Sequence, residues 1–139
     1  MKGLFAGLAG LLLCSAAPAA AQKPTLDLQC VAYGKGPLLE CTMRLRAPGG
    51  GPLEQAKVTL NAGMPSMPMA HTIKPVAAGA TGQAGEYRAV LQLEMHGVWA
   101  IEIDIAGPPR DRLVRRLRVE PCTADRRCAA TEIPPSRRP

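Results

Sequence analysis

Residues 25–46 read TLDLQCVAYGKGPLLECTMRLR, and this stretch decides the fold. In Leu38–Arg46, Leu39, Cys41, Met43 and Leu45 point one way, and Glu40, Thr42, Arg44 and Arg46 point the other. Strict alternation of this kind marks a strand with one face buried. Thr25–Tyr33 alternates more weakly before it, and Gly34-Lys35-Gly36-Pro37 is turn chemistry. If those four residues form the turn of a hairpin, Tyr33 pairs with Leu38 and Cys30 falls opposite Cys41. Both cysteines then face the apolar side, and directly opposed, non-hydrogen-bonded residues lie close enough for a disulfide.

The same period recurs along the chain. Trp99, Ile101, Ile103 and Ile105 alternate with Ala100, Glu102 and Asp104. Tyr87, Ala89, Leu91, Leu93 and Met95 alternate with Arg88, Val90, Gln92 and Glu94. Weaker strands are predicted at 56–62, 69–74 and 112–119. With Gly/Pro-rich turns between them, no convincing helix and no internal repeat, these seven segments predict an all-β fold. The expected architecture is a single antiparallel immunoglobulin-like β-sandwich. Its expected extent is residues 22–120, and residues 121–139, rich in Pro and Arg without periodicity, are expected to form a loose C-terminal tail.

Ahead of the domain, Met1-Lys2 is a short positive start and Gly3–Ala17 an apolar run. Ala19-Ala20-Ala21 supplies the small residues of a signal-peptidase site. Residues 1–21 are therefore expected to be a cleaved signal peptide, with a retained anchor as the alternative. Cleavage removes Cys14 and leaves no further apolar stretch able to span a membrane. The protein is expected to be periplasmic or secreted, from a bacterium. Cys30, Cys41, Cys122 and Cys128 remain, and an even count in an oxidising compartment predicts disulfides. Four cysteines allow three connectivities; the hairpin register favours Cys30–Cys41, leaving Cys122–Cys128 as a local closure in the tail. The formal net charge of +6 is concentrated late in the chain, without aromatic residues among the arginines. An exported protein of this kind is not expected to bind nucleic acid.

One cluster carries chemistry. Met64-Pro65-Ser66-Met67-Pro68-Met69 is followed by His71, and Met95 adjoins His96, the only other histidine. Thioether and imidazole suit copper, and thioether selects Cu(I) because both are soft. Neighbouring strands running up and down would bring the loop after Ala62 and the turn after Leu93 to one pole of the sandwich. Strand period would place Met67, Met69 and His71 on one face. The opposing reading makes these residues core: Met69, His71 and Ile73 form the more apolar row, Met95 continues the inward row of Tyr87–Leu93, and methionine is a common gap-filler. The polar, proline-rich setting of Met64 argues against its burial, Met43 reads as core, and neither histidine has an obvious carboxylate to orient it.

Three spaced elements add a resemblance. Gly63-Met64-Pro65-Ser66-Met67-Pro68-Met69-Ala70-His71, Gly85-Glu86-Tyr87 and Met95-His96-Gly97-Val98-Trp99 together resemble the YtkA-like/FixH-like domain family. The resemblance runs roughly from Leu38 to Val119 and implies an immunoglobulin-like sandwich outside the cytoplasmic membrane. It also implies association with copper or heavy-metal efflux and with oxidase assembly. The FixH branch keeps a membrane anchor where this chain has a cleavable signal, and the cysteine pairs lie outside the family pattern.

The leading expectation is a periplasmic, non-catalytic copper-handling protein holding Cu(I) with Met64, Met67, Met69 and His71, helped by Met95 and His96. The alternative is a structural or interaction module that docks to an efflux or oxidase-assembly complex, with the methionine strand as core. An enzyme is not expected: there is no G-x-S-x-G, C-x-x-C, H-E-x-x-H or phosphate-binding glycine loop.

Overall fold

The computed structural model describes residues 23–135, apart from Pro108 and Ala124. The expected signal peptide, residues 1–21, lies outside the described residues.

Ten strands follow one another: β1 (Thr25–Tyr33), β2 (Leu38–Arg46), β3 (Lys57–Gly63), β4 (Thr72–Ala77), β5 (Gly79–Ala80), β6 (Glu86–Gln92), β7 (Gly97–Ala106), β8 (Asp111–Val119), β9 (Arg127–Ala129) and β10 (Thr131–Ile133). They form two antiparallel five-stranded sheets, ordered β5-β6-β2-β1-β9 and β10-β8-β7-β3-β4. Without the three shortest strands, this is the seven-stranded sandwich the alternation predicts. Its connectivity is immunoglobulin-like, with β1, β2 and β6 on one sheet and β3, β4, β7 and β8 on the other. Among the described residues no helix is long and apolar enough to cross a membrane.

The hairpin forms in the predicted register, Tyr33 opposite Leu38 and Cys30 opposite Cys41. The two cysteines are disulfide-bonded with Cα atoms 4.1 Å apart. Their sulfurs lie in the core beside Leu39, Met43 and Leu45, the inward row of β2. From the other sheet come Val58, Leu60, Trp99, Ile101, Ile103 and Ile105. Aliphatic side chains do most of the packing because the chain has so few aromatics, and Trp99, fully buried at the start of β7, fills the most volume. Its indole N–H, which cannot be left unpaired in a core, donates to the Met95 carbonyl at 3.1 Å.

Two corrections concern the ends of predicted elements. The strand expected from Met69 starts only at Thr72, for a reason taken up below. β4 also contains Pro75, which is tolerated because β4 is a sheet edge and one face of its backbone has no ladder to join. The C-terminal stretch is not a loose tail throughout. β9 pairs with β1, β10 pairs with β8, and the Ala130 N–H between them donates to the Cys30 carbonyl at 2.9 Å. The tail thus adds one strand to the open edge of each sheet, covering polar backbone that an edge would otherwise expose. The Cys122–Cys128 disulfide closes the loop leading into β9, and the Arg127 guanidinium lies 4.9 Å above the Tyr33 ring.

Candidate metal site

β3 ends at Gly63, whose ladder partners are Ala100 on β7 and Thr72 on β4. Beyond it the chain must reverse, and its own sequence stops it from doing so as a strand. Pro65 and Pro68 have no N–H to give a ladder. The backbone instead closes two successive tight turns: Met67 N–H donates to the Met64 carbonyl at 3.0 Å, and Ala70 N–H to the Met67 carbonyl at 3.2 Å. Met64 N–H bonds the His71 carbonyl at 3.2 Å and ties the base of the loop. Met67, Met69 and His71 are therefore not a row on one strand face, as period two predicted; the first two lie in turns, and His71 is the residue just before β4.

The turns sort the methionines. Met64 is 5% exposed and belongs to the core, contrary to the reading that its polar neighbours keep it out. Its methyl group fills the space beside Gly97, where an added Cβ would stand only 2.9 Å away. Gly97 also has φ +138°, a backbone conformation that side chains disfavour, so glycine there opens β7 and leaves room for Met64. Met43 is fully buried on β2, as expected. Met67 is 39% exposed, and Met69, 97% exposed, touches almost nothing. Met95 is 37% exposed and does not continue the inward row. That row stops at Leu93, because β6 ends at Gln92 and Glu94–His96 bend across to the other sheet before β7 begins.

This bend and the methionine loop meet at one pole. The Met64–Gly97 contact joins them on the core side, and the His71–Glu94 pair joins them on the solvent side. His71 is half-buried, with its Nδ1 hydrogen-bonded to a carboxylate oxygen of Glu94. Glu94 is thus the orienting carboxylate that neither histidine seemed to have. Its only sign in the sequence is its place on the polar row after Gln92, and linking it to His71 requires the strand order. With Nδ1 engaged, Nε2 is the ring nitrogen left for another partner. A hydrogen bond from Thr72 Oγ1 to the Pro68 carbonyl at 3.3 Å braces the second turn against the start of β4. His96 is half-buried in the bend beside Met95.

The pole therefore carries one oriented imidazole, with Met67, Met69 and Met95 each more than a third exposed on the loop and bend that meet there. Among the described residues no three of His, Cys, Asp and Glu are grouped to hold a metal ion. A metal held here would rest on thioether sulfur together with His71.

No curated protein and no solved structure matches the chain. The model of the YtkA-like family matches residues 32–104, which take in the hairpin's second strand, the methionine loop, the bend and most of β7. More than half of the sequence lies within that match, and the chain belongs to the YtkA-like family.

Proposed function

We propose that the protein is an extracytoplasmic, non-catalytic copper carrier that takes Cu(I) as cargo on Met67, Met69 and His71, with Met95 and His96 of the facing bend as further donors. The observation that carries this reading is the His71–Glu94 pair between the loop that bears Met67 and Met69 and the bend that bears Met95, with Met69 97% exposed. Imidazoles that bind metals usually give their other ring nitrogen to a carboxylate, which fixes the tautomer and aims the free nitrogen outward. Thioethers add the softness that favours Cu(I) over harder ions. Burial of a methionine side chain is worth about 1.5–3 kcal/mol, so packing does not explain Met69, which stands 97% exposed. An open, incomplete shell of this kind suits a carrier that must hand its ion on. Two disulfides fit an oxidising compartment, where thioether survives as a soft ligand and a free thiol would be oxidised.

Met64 leaves the ligand set on this reading, because its side chain is committed to the core. An interaction module with core methionines accounts for Met43 and Met64 but not for Met69.

Anaerobic competition for Cu(I) against a chromophoric chelator tests the proposal, with Met67→Leu/Met69→Leu and His71→Ala proteins alongside. The unmodified protein should withdraw one copper per chain. Each variant should lose about tenfold or more in affinity, since disturbing even an outer-shell partner commonly costs that much. Melting of the Leu variant should be unchanged. Failure of the unmodified protein to withdraw copper would sink the proposal.

A further inference from the structure

We propose that the methionine pole is also an oxidation site, converted to methionine sulfoxide by hypohalous acid with Met69 reacting first, and that this conversion abolishes soft-metal binding there. The inference rests on the copper-carrier reading of the same pole.

Its basis is the graded accessibility of the five methionines in the described residues. Met69 is 97% exposed, Met67 39% and Met95 37%, whereas Met64 is 5% and Met43 0% exposed. Oxidation needs the sulfur lone pair to reach the oxidant, so Met69 stands most open, Met67 and Met95 follow, and the buried Met64 and Met43 are shielded. The balance of the step is simple. Sulfur donates an electron pair to the chlorine of hypochlorous acid and hydroxide leaves. Water then adds to the chlorosulfonium, chloride departs, and two protons are lost. In net terms, thioether and HOCl give sulfoxide, chloride and one proton; sulfur is oxidised by two electrons and chlorine reduced by two.

The consequences differ between the two groups. A sulfoxide at Met64 or Met43 would place a polar oxygen in the core and disrupt it. At Met69, 97% exposed, the oxygen would enter water, and Met67 and Met95 each have more than a third of their surface in solvent to take it, so the fold should survive while the donor chemistry changes. The soft thioether becomes a hard oxygen donor, which does not suit Cu(I). The same exposure leaves the sulfoxides open to methionine sulfoxide reductases, so the change can be reversed.

The test uses the full mature chain, copper-free and with its disulfides intact, treated with increasing equivalents of hypochlorous acid and quenched. Peptide mass mapping gives the order of oxidation, and anaerobic Cu(I) competition is then run before and after incubation with the two sulfoxide reductases. Met69 should be modified first and Met67 and Met95 next, with Met43 and Met64 unmodified while the protein stays folded. Cu(I) affinity should fall by about tenfold or more and return on reduction. A Met67→Leu/Met69→Leu/Met95→Leu protein, given the same dose, should melt as before and show no sulfoxide. Oxidation of Met64 as fast as Met69, or copper affinity that survives three outer sulfoxides, overturns the proposal. If untreated protein takes no copper, the carrier reading falls and the switch with it, whatever the order of oxidation.

Discussion

The hairpin at residues 25–46 and the loop at residues 64–71 both present methionine in a short run with an alternating look, yet they use it in opposite ways. In the hairpin, Met43 sits between Cys41 and Leu45 on the inward row, and every residue from Thr25 to Tyr33 has a ladder partner on β2. In the loop, two prolines remove donors, turns replace the ladder, and Met69 ends in solvent. Period two reports which face a side chain takes only where consecutive backbone groups can enter a sheet. Where they cannot, the side chain goes wherever the turn points it.

The largest effect that would break or sharpen this contrast comes from truncating one methionine in each region. Met43→Ala leaves a cavity in the packed core and should cost about 2–5 kcal/mol. Met69→Ala should stay within about 0.5 kcal/mol of the parent, as for surface changes that remove no buried contact. Denaturant unfolding of the two proteins measures both. Equal losses would mean that the loop packs like the hairpin and that its exposed thioethers need no separate explanation.

The disulfides extend the comparison at smaller amplitude. Cys30–Cys41 spans a sequence separation of 11 within the buried face of the hairpin. Cys122–Cys128 spans only 6 and lies at the partly exposed approach to β9. Loop-closure entropy assigns a bridge of either length about 2–3 kcal/mol. The inner pair adds lost packing, so Cys30→Ala/Cys41→Ala should lower global stability by that amount or somewhat more. Cys122→Ala/Cys128→Ala should act mainly on the tail, speeding hydrogen exchange at Ala129 and Ala130 while the melting point of the sandwich moves less. A tail bridge that proved the costlier of the two would make β9 and β10 part of the folding core rather than edge covers.

These particulars also show what was legible beforehand. The Cys30–Cys41 register could be read because nine residues on each side of an obvious turn all obey one period. β9 and β10 could not, because three residues each are too few to show a period, and the partner of β9 is β1, at the other end of the sequence. The burial of Met64 was hidden for a related reason: it lies one residue past its strand, and its pocket is the missing side chain of Gly97, far along the chain. Met95 misled because alternation carries on in the sequence after the ladder has ended at Gln92. The pairing of His71 with Glu94 depends on two loops meeting across the sandwich, a property of strand order that local pattern does not contain.

The smallest expected effect concerns a carboxylate that pairs with the hairpin from the neighbouring strand, a counterpart to Glu94 at the other region. Glu86 opens β6 opposite Arg44 of β2, with the Thr81 hydroxyl 2.9 Å and Arg44 Nε 3.1 Å from its oxygens. The Thr81 hydrogen bond first, then that from Arg44, hold the Glu86 carboxyl below the usual glutamate value of 4.5. A carboxyl depressed in the folded state binds its proton more readily once unfolded. Its contribution is therefore present above the unfolded value, near pH 4.5, and is lost as pH falls through the lower folded value. Arg44 is largely solvent-exposed, so screening keeps the effect modest. Stability measured by thermal melting should decline below about pH 4.5, and Glu86→Gln should flatten that decline while removing part of the stability at neutral pH. An unchanged acid slope in Glu86→Gln would mean that the pairing of Glu86 with Thr81 and Arg44 does not set the acid sensitivity of the sandwich.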